Sequence, residues 1–225
     1  MLLSTAYFPP VAWLALAAKE MRVPPRATLC HSERSEESVV PSLVRLEACE
    51  NYQKQSYRNR CYILAGDGVQ MLQVPVVHGA DMSITRVQVD YSTPWVVRTE
   101  RALDTAYETS AYYEYYRDEL FALLEAQPAT LWELNLSTIR FLLEKTGVAC
   151  TVEPTSAFIG PELEADDYRF SIHPKRTDSV LADLHLDRPY YQVFRDRMGG
   201  FTAKLSCLDL LFNEGPDSIL WLKSL

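Results

Sequence analysis

The sequence predicts an α/β fold: a Rossmann-like strand–helix–strand core, a helical middle segment and a mixed C-terminal part. Three observations predict it. The short segment "LLSTAY" (2–7), apolar at its start, is followed by Pro9, Pro10 and the nearly all-apolar "VAWLALAAKE", and later by the alternating "VRLEAC" (44–49). Three helical patterns run in succession from 92 to 147. Beyond 148 the periodicity weakens and then recovers in "LSCLDLLFNEG".

Taken in order, residues 2–7 have the apolar character of a buried strand. Pro9 and Pro10 open a helix, because the first helical N–H groups have no intrahelical partner to lose. The apolar run that follows predicts a helix buried on all sides. Residues 22–42, with Pro24, Pro25, Pro41 and a Ser/Glu/Arg run, hold too little apolar surface to offset ordering. They form an insertion in a single domain spanning 1–225, or alternatively a lid over a site, since they leave the first β–α unit. The second strand is 44–49. "CYILAGDGVQMLQVPVVHG" gives a strand, a turn at Gly66-Asp67-Gly68 and a second strand over 69–77. "SITRVQVD" (83–90) alternates and predicts another strand.

Ser92 or Thr93 caps the next helix, with Pro94 at its first position. "SAYYEYYRDELFALLEAQ" places Tyr112, Tyr116 and Leu120 at helical spacing, which gives Tyr112, Tyr115 and Tyr116 a structural or subunit-contact role. "TLWELNLSTIRFLLEKTG" is capped by Thr130, has Glu133 at the capping-box position and closes at Gly147. The short helix in "LSCLDLLFNEG" ends at Gly215 and Pro216.

Composition narrows the function. Of the 225 residues, 48% are apolar and the net charge is −8, which supports a sizeable core and argues against general nucleic-acid binding. The five cysteines, Cys30, Cys49, Cys61, Cys150 and Cys207, form no CxxC pair, so neither a disulfide framework nor a zinc site is expected. They suit a reducing cytoplasm. No apolar run reaches the ~18 residues of a membrane span. The start lacks the basic n-region of a signal peptide, and its prolines split the apolar stretch. The sequence holds no G-x-G-x-x-G, Walker loop, H-E-x-x-H or G-x-S-x-G. It specifies no cofactor.

What remains is "ENYQKQSYRNR" (50–60), a polar stretch delivered by the second strand. Ligands of open α/β sheets sit beyond the carboxyl ends of the strands. With the first two strands adjacent, Tyr7 lies near Asn51, Lys54 and Arg60. Arg60 can grip a phosphate or carboxylate bidentately, Lys54 adds a point charge, and Asn59 and Ser56 orient the anion. The alternative is a salt-bridged surface loop.

"YFP" after the first strand, "ENYQKQSYRNR", "DYSTPW" (90–95), "SAYYEYY" (110–116), "IHPK" (172–175) and "LSCLDLLFNEGP" come in an order that resembles the WbqC-like protein family. Tyr7, Pro9, Tyr52, Lys54, Ser56, Asn59 and Arg60 match its Pro-x-Tyr-x-Pro and Tyr-x-Lys-x-Ser-x-x-Asn-Arg motifs. Thr5 stands where a proline is common, Lys204 where an asparagine often precedes "LS", and Gly199-Gly200 is one glycine longer. The resemblance implies a role in cell-surface polysaccharide, O-antigen-type biosynthesis, with acyl, aminoacyl or glycosyl-type transfer on a nucleotide-linked or amino sugar. On that reading Lys175, Asp209, Asn213 and Glu214 complete the site, and Glu50 or Asp209 is the general base. The rival is a non-catalytic binding or assembly protein that uses its tyrosine-rich helices as an oligomer or partner surface.

Overall fold

The computed structural model describes residues 1–21, 41–175 and 184–225. The insertion read over 22–42 lies outside the described residues except for its last two positions, and Ser42 already belongs to a strand. The strand–helix–strand opening is present: β1 (Leu2–Leu3), α1 (Val11–Lys19) and β2 (Ser42–Leu46). β1 pairs with β2 in parallel, and β2 pairs in parallel with β5 (Cys150–Pro154) from Ser42↔Cys150 to Leu46↔Pro154. β2 is thus the centre of a three-stranded parallel sheet. A further parallel bridge, Leu2↔Asp167, lies on the free side of β1.

Every residue of α1 from Val11 to Ala18 is buried, as the unbroken apolar run requires. Its first helical residue is Val11, with Pro10 as the N-cap. The prolines therefore precede the helix rather than occupy its first turn. Val11 N–H bonds Leu205 C=O at 3.0 Å, and Cys207 N–H bonds Pro9 C=O at 2.9 Å. Ser206 Oγ donates to Phe8 C=O at 2.9 Å and steadies a loop in which Phe8 takes a left-handed φ of 43°.

β3 (Arg60–Ala65) and β4 (Gly68–Gln73) form the expected antiparallel hairpin, closed by Gly66-Asp67 between the Ala65↔Gly68 pair. The strand expected over 83–90 is absent. The N–H groups of Arg86 and Val87 both turn back to Ser83 C=O, at 2.8 and 3.1 Å. That turn breaks the extension, and single bridges remain at Ser83, Gln88 and Val89.

The helical middle is α2 (Trp95–Tyr107), α3 (Tyr113–Glu125) and α4 (Leu131–Lys145). α2 begins after Pro94, with no side-chain cap from Ser92 or Thr93. α4 carries the full capping box: Thr130 Oγ1 accepts from Glu133 N–H, and Thr130 N–H donates to the Glu133 carboxylate. The buried tyrosine of α3 is Tyr113, not Tyr112 or Tyr116. Its hydroxyl donates to Asp104 at 2.8 Å, while Tyr112 and Tyr116 are half-buried and Tyr115 is exposed. α5 (Cys207–Glu214), one 3₁₀ turn (Gly215–Asp217) and α6 (Ser218–Lys223) end the chain. α5 and α6 pack on α1.

The carboxyl end of the parallel sheet is closed from inside. Glu47, just past β2, has a fully buried side chain that accepts from Cys49 N–H, Thr155 Oγ1, Ile159 N–H and Arg169 Nη1. Arg169 is equally buried and also donates to Asp167. Removing one partner of such a pair strands the other charge away from water. Arg169→Met is therefore expected to cost roughly 3–5 kcal/mol by urea denaturation. A second test lies at Gly215, whose φ is 53° and whose missing Cβ would stand 2.5 Å from the Tyr112 ring. Gly215→Ala, which at a compatible position would be mildly stabilising, should here lower stability by more than about 1 kcal/mol, measured the same way.

Candidate functional site

The turns that follow β1 and β2 face each other and touch. Tyr7 N–H donates to Tyr57 C=O at 2.8 Å. Arg58 Nη2 reaches Ser4 Oγ at 2.6 Å. They meet so closely that only a crevice of about 10 Å³ remains between them, lined in part by Ser4, Thr5, Ala6, Tyr57 and Arg58. The Tyr7 side chain does not enter it. Its ring is fully buried, 4.4 Å from Phe8 and 6.4 Å from Trp95 between ring centres. Tyr7 contributes backbone to this joint and aromatic bulk to the core.

The open hollow lies on the other side of the polar stretch. Its volume is about 370 Å³, and it is walled by Tyr52, Lys54, Gln55, Asn59 and Arg60 from the stretch and by Gln73, Pro75, Val76 and His78 from the chain leaving β4. The Arg60↔Gln73 pairing of the hairpin holds the two walls in register. Val74 N–H to Asn59 C=O at 2.9 Å continues it.

Among the described residues no carboxylate lines this hollow. The two arginines of the polar stretch, Arg58 and Arg60, differ from each other. Arg58 is bound by Glu50 through Nε at 2.7 Å and Nη2 at 2.5 Å, with both side chains about 5% exposed. Arg60 forms no ion pair among the described residues, and its Nε is buried without a hydrogen-bond partner. A buried unpaired donor on a permanent cation is costly unless a ligand completes it. Lys54 is exposed and also has no ion-pair partner among the described residues. Burial raises the Tyr52 hydroxyl pKa, and the Arg60 and Arg58 charges oppose that rise, so the tyrosine sits within their field.

The other expected residues are distributed as follows. Ser56 is buried and fixes the turn by donating to Gln53 C=O at 2.7 Å. It does not line the hollow. Asn51 is exposed and bridges to Ser83. Lys175 does not line the hollow but bonds one of its wall residues, with Nζ donating to Gln55 Oε1. Gln55 itself takes a left-handed φ of 60°.

Glu50 and Asp209, expected as general bases, do not reach the hollow. Glu50 is engaged by Arg58. Asp209 is buried on α5 and accepts from Tyr107 at 2.8 Å, Tyr190 at 2.7 Å and Gln192 at 2.9 Å. Asn213 Nδ2 bonds Asp209 C=O at 2.7 Å, and Glu214 accepts from Tyr191 N–H at 2.8 Å. Asp209 and Glu214 hold the 190s segment onto α5, whereas the Asn213 bond stays within the helix. His78 and Gln73 were missed as site residues. Gln73 could have been found from the Asp-Gly hairpin by pairing outward from the turn, whereas nothing in the sequence distinguishes His78 from the other histidines.

Among the described residues no group of side chains is arranged to hold a metal, and no helix is long and apolar enough to cross a membrane. The Asp209 carboxyl pKa is raised chiefly by burial, with its three donors opposing. Its folded value lies above the unfolded one, so its contribution to stability is complete below the ordinary aspartate range and is lost as pH rises through the raised value. The stability gap between wild type and Asp209→Asn should therefore narrow as pH rises from acid toward neutral, measured by denaturation at several pH values.

A family model described as the WbqC-like protein family matches residues 42–179. "Uncharacterized protein Rv1507c" of Mycobacterium tuberculosis (strain ATCC 25618 / H37Rv) is 26% identical over 188 residues, which cover 74% of this chain and 81% of that protein. No solved structure matches.

Proposed function

The chain belongs to the WbqC-like protein family, and on that premise we propose that it serves cell-surface polysaccharide biosynthesis of the O-antigen type by holding a phosphate-bearing sugar in the cationic hollow. The observation that carries this is Arg60. A chain of net charge −8 leaves this guanidinium without a carboxylate among the described residues, beside Lys54 and at the wall of a cavity large enough for a sugar phosphate. An anion there gains charge-assisted hydrogen bonds that water supplies less well. A hollow of one sign in an otherwise acidic protein also concentrates anionic ligands.

The enzymatic form of this reading is transfer to or from a nucleotide-linked or amino sugar in the cytoplasm. Because Glu50 and Asp209 are engaged elsewhere, proton transfer falls to His78, whose imidazole is the side chain most used for that step. A non-catalytic binding or assembly role is the second reading. It is favoured by Tyr115, 80% exposed at the start of α3 with its ring 6.3 Å from that of Tyr112.

Arg60→Ala tests the first reading. The substitution breaks no ion pair among the described residues, so the unliganded protein should lose less than about 1 kcal/mol. Saturating inorganic phosphate or a nucleotide sugar should raise the unfolding temperature of the wild type, by an amount set by ligand excess over Kd, and leave that of the variant unmoved. Equal shifts in both proteins would refute the assignment. Tyr115→Ser would instead disrupt a complex if the second reading holds.

A further inference from the structure

Asn59 sits beside Arg60 in the same wall and is only 1% exposed. Its Nδ2 donates to Val74 C=O at 3.0 Å, which fixes the orientation of the amide, since only a donor can face a carbonyl. The remaining atom, Oδ1, is buried and has no partner. The sequence pattern suggests that Asn59 orients an anion through its amide N–H groups, whereas the atom the structure leaves without a partner is the amide oxygen. One of its two N–H donors is spent on Val74, and a carbonyl oxygen held against a phosphate oxygen repels it. Two consecutive residues of the wall therefore each carry an unmet need: a cationic donor at Arg60 Nε and a neutral acceptor at Asn59 Oδ1.

We propose that Asn59 is a specificity-determining residue, whose Oδ1 accepts a hydrogen bond from a hydroxyl neighbouring the anion on the ligand. The inference rests on the anion-binding reading of the hollow and adds the second half of the recognised group. The ligand class is a phosphate ester bearing a hydroxyl on an adjacent carbon, as polyol and sugar phosphates do. A bare phosphate satisfies Arg60 and leaves Asn59 unmet. An ammonium in place of the hydroxyl meets Asn59 but is repelled by Arg60 and Lys54 in the same hollow. A site built to accept from a ligand hydroxyl discriminates against an analogue lacking it, because its buried acceptor is then left unpaired.

Three phosphate monoesters of nearly equal size separate these cases: 2-hydroxyethyl, propyl and 2-aminoethyl phosphate, with inorganic phosphate as baseline. Titration calorimetry on the wild-type chain is expected to give the hydroxyethyl ester a Kd roughly 3- to 10-fold below that of the propyl ester. The aminoethyl ester should be weaker than the hydroxyethyl one. In Asn59→Ala the hydroxyethyl-to-propyl ratio should fall to about one, whereas a merely structural role would weaken both esters alike and keep the ratio. Equal affinities for the hydroxyethyl and propyl esters in the wild type overturn the proposal without any variant having to fold, as does tighter binding of the aminoethyl ester. Failure of all four phosphates to bind overturns instead the anion-site reading on which this one stands.

Discussion

The pairing of Arg58 with Glu50 decides the character of the polar stretch. "ENYQKQSYRNR" contains two arginines and one lysine against a single carboxylate. Arg58 takes that carboxylate through two nitrogens, in a place where both side chains are almost wholly dry. Its backbone is tied as well, since Asn135 Nδ2 on α4 donates to Arg58 C=O at 2.8 Å. In such surroundings a charge pair persists because separating it is costly, not because forming it is strongly favourable. The consequence is allocation. Once Glu50 is claimed, no other acid in the stretch can neutralise Arg60, and the hollow keeps its positive field.

Three ionic arrangements illustrate how burial sorts charged groups. Glu47 with Arg169 and Asp167 is saturated with partners and closes the end of the parallel sheet. Asp209 is buried without a cation and relies on two tyrosine hydroxyls and an amide. Arg60 alone has a buried donor unmet and an opening beside it. The first two arrangements are complete in themselves and hold segments together. The third is incomplete, and that incompleteness at a cavity wall is what makes the hollow a candidate ligand site.

Much of the fold was legible in the sequence. The all-apolar run of α1, the Asp-Gly hairpin and the capping box of α4 are local signals with local causes, and each appears where its pattern stands. Errors arose where a local turn or a tertiary partner overrode the periodic pattern. Alternation over 83–90 was broken by a turn on Ser83, and the tyrosine spacing of α3 pointed to Tyr112 when the partner Asp104 selects Tyr113. The site was half legible. Lys54, Asn59, Arg60 and Tyr52 all line the hollow, and the turns after the first two strands do meet. The sequence could not show that these turns meet without leaving space between them, nor that the opposite wall comes from residues 73–78. It also could not show that Asp209 is occupied by Tyr190 and Gln192, because those bonds depend on how the 190s segment folds back.

The clasp of Leu205, Ser206 and Cys207 on Phe8, Pro9 and Val11 joins residues nearly two hundred positions apart. During synthesis the opening loop is made nearly two hundred residues before its fastening. Until then α1 lacks α5 and α6, which cover it in the finished protein. The nascent chain thus carries an unshielded apolar helix until residues 205–223 emerge, and a chain cut shortly before residue 205 could not lock its opening loop.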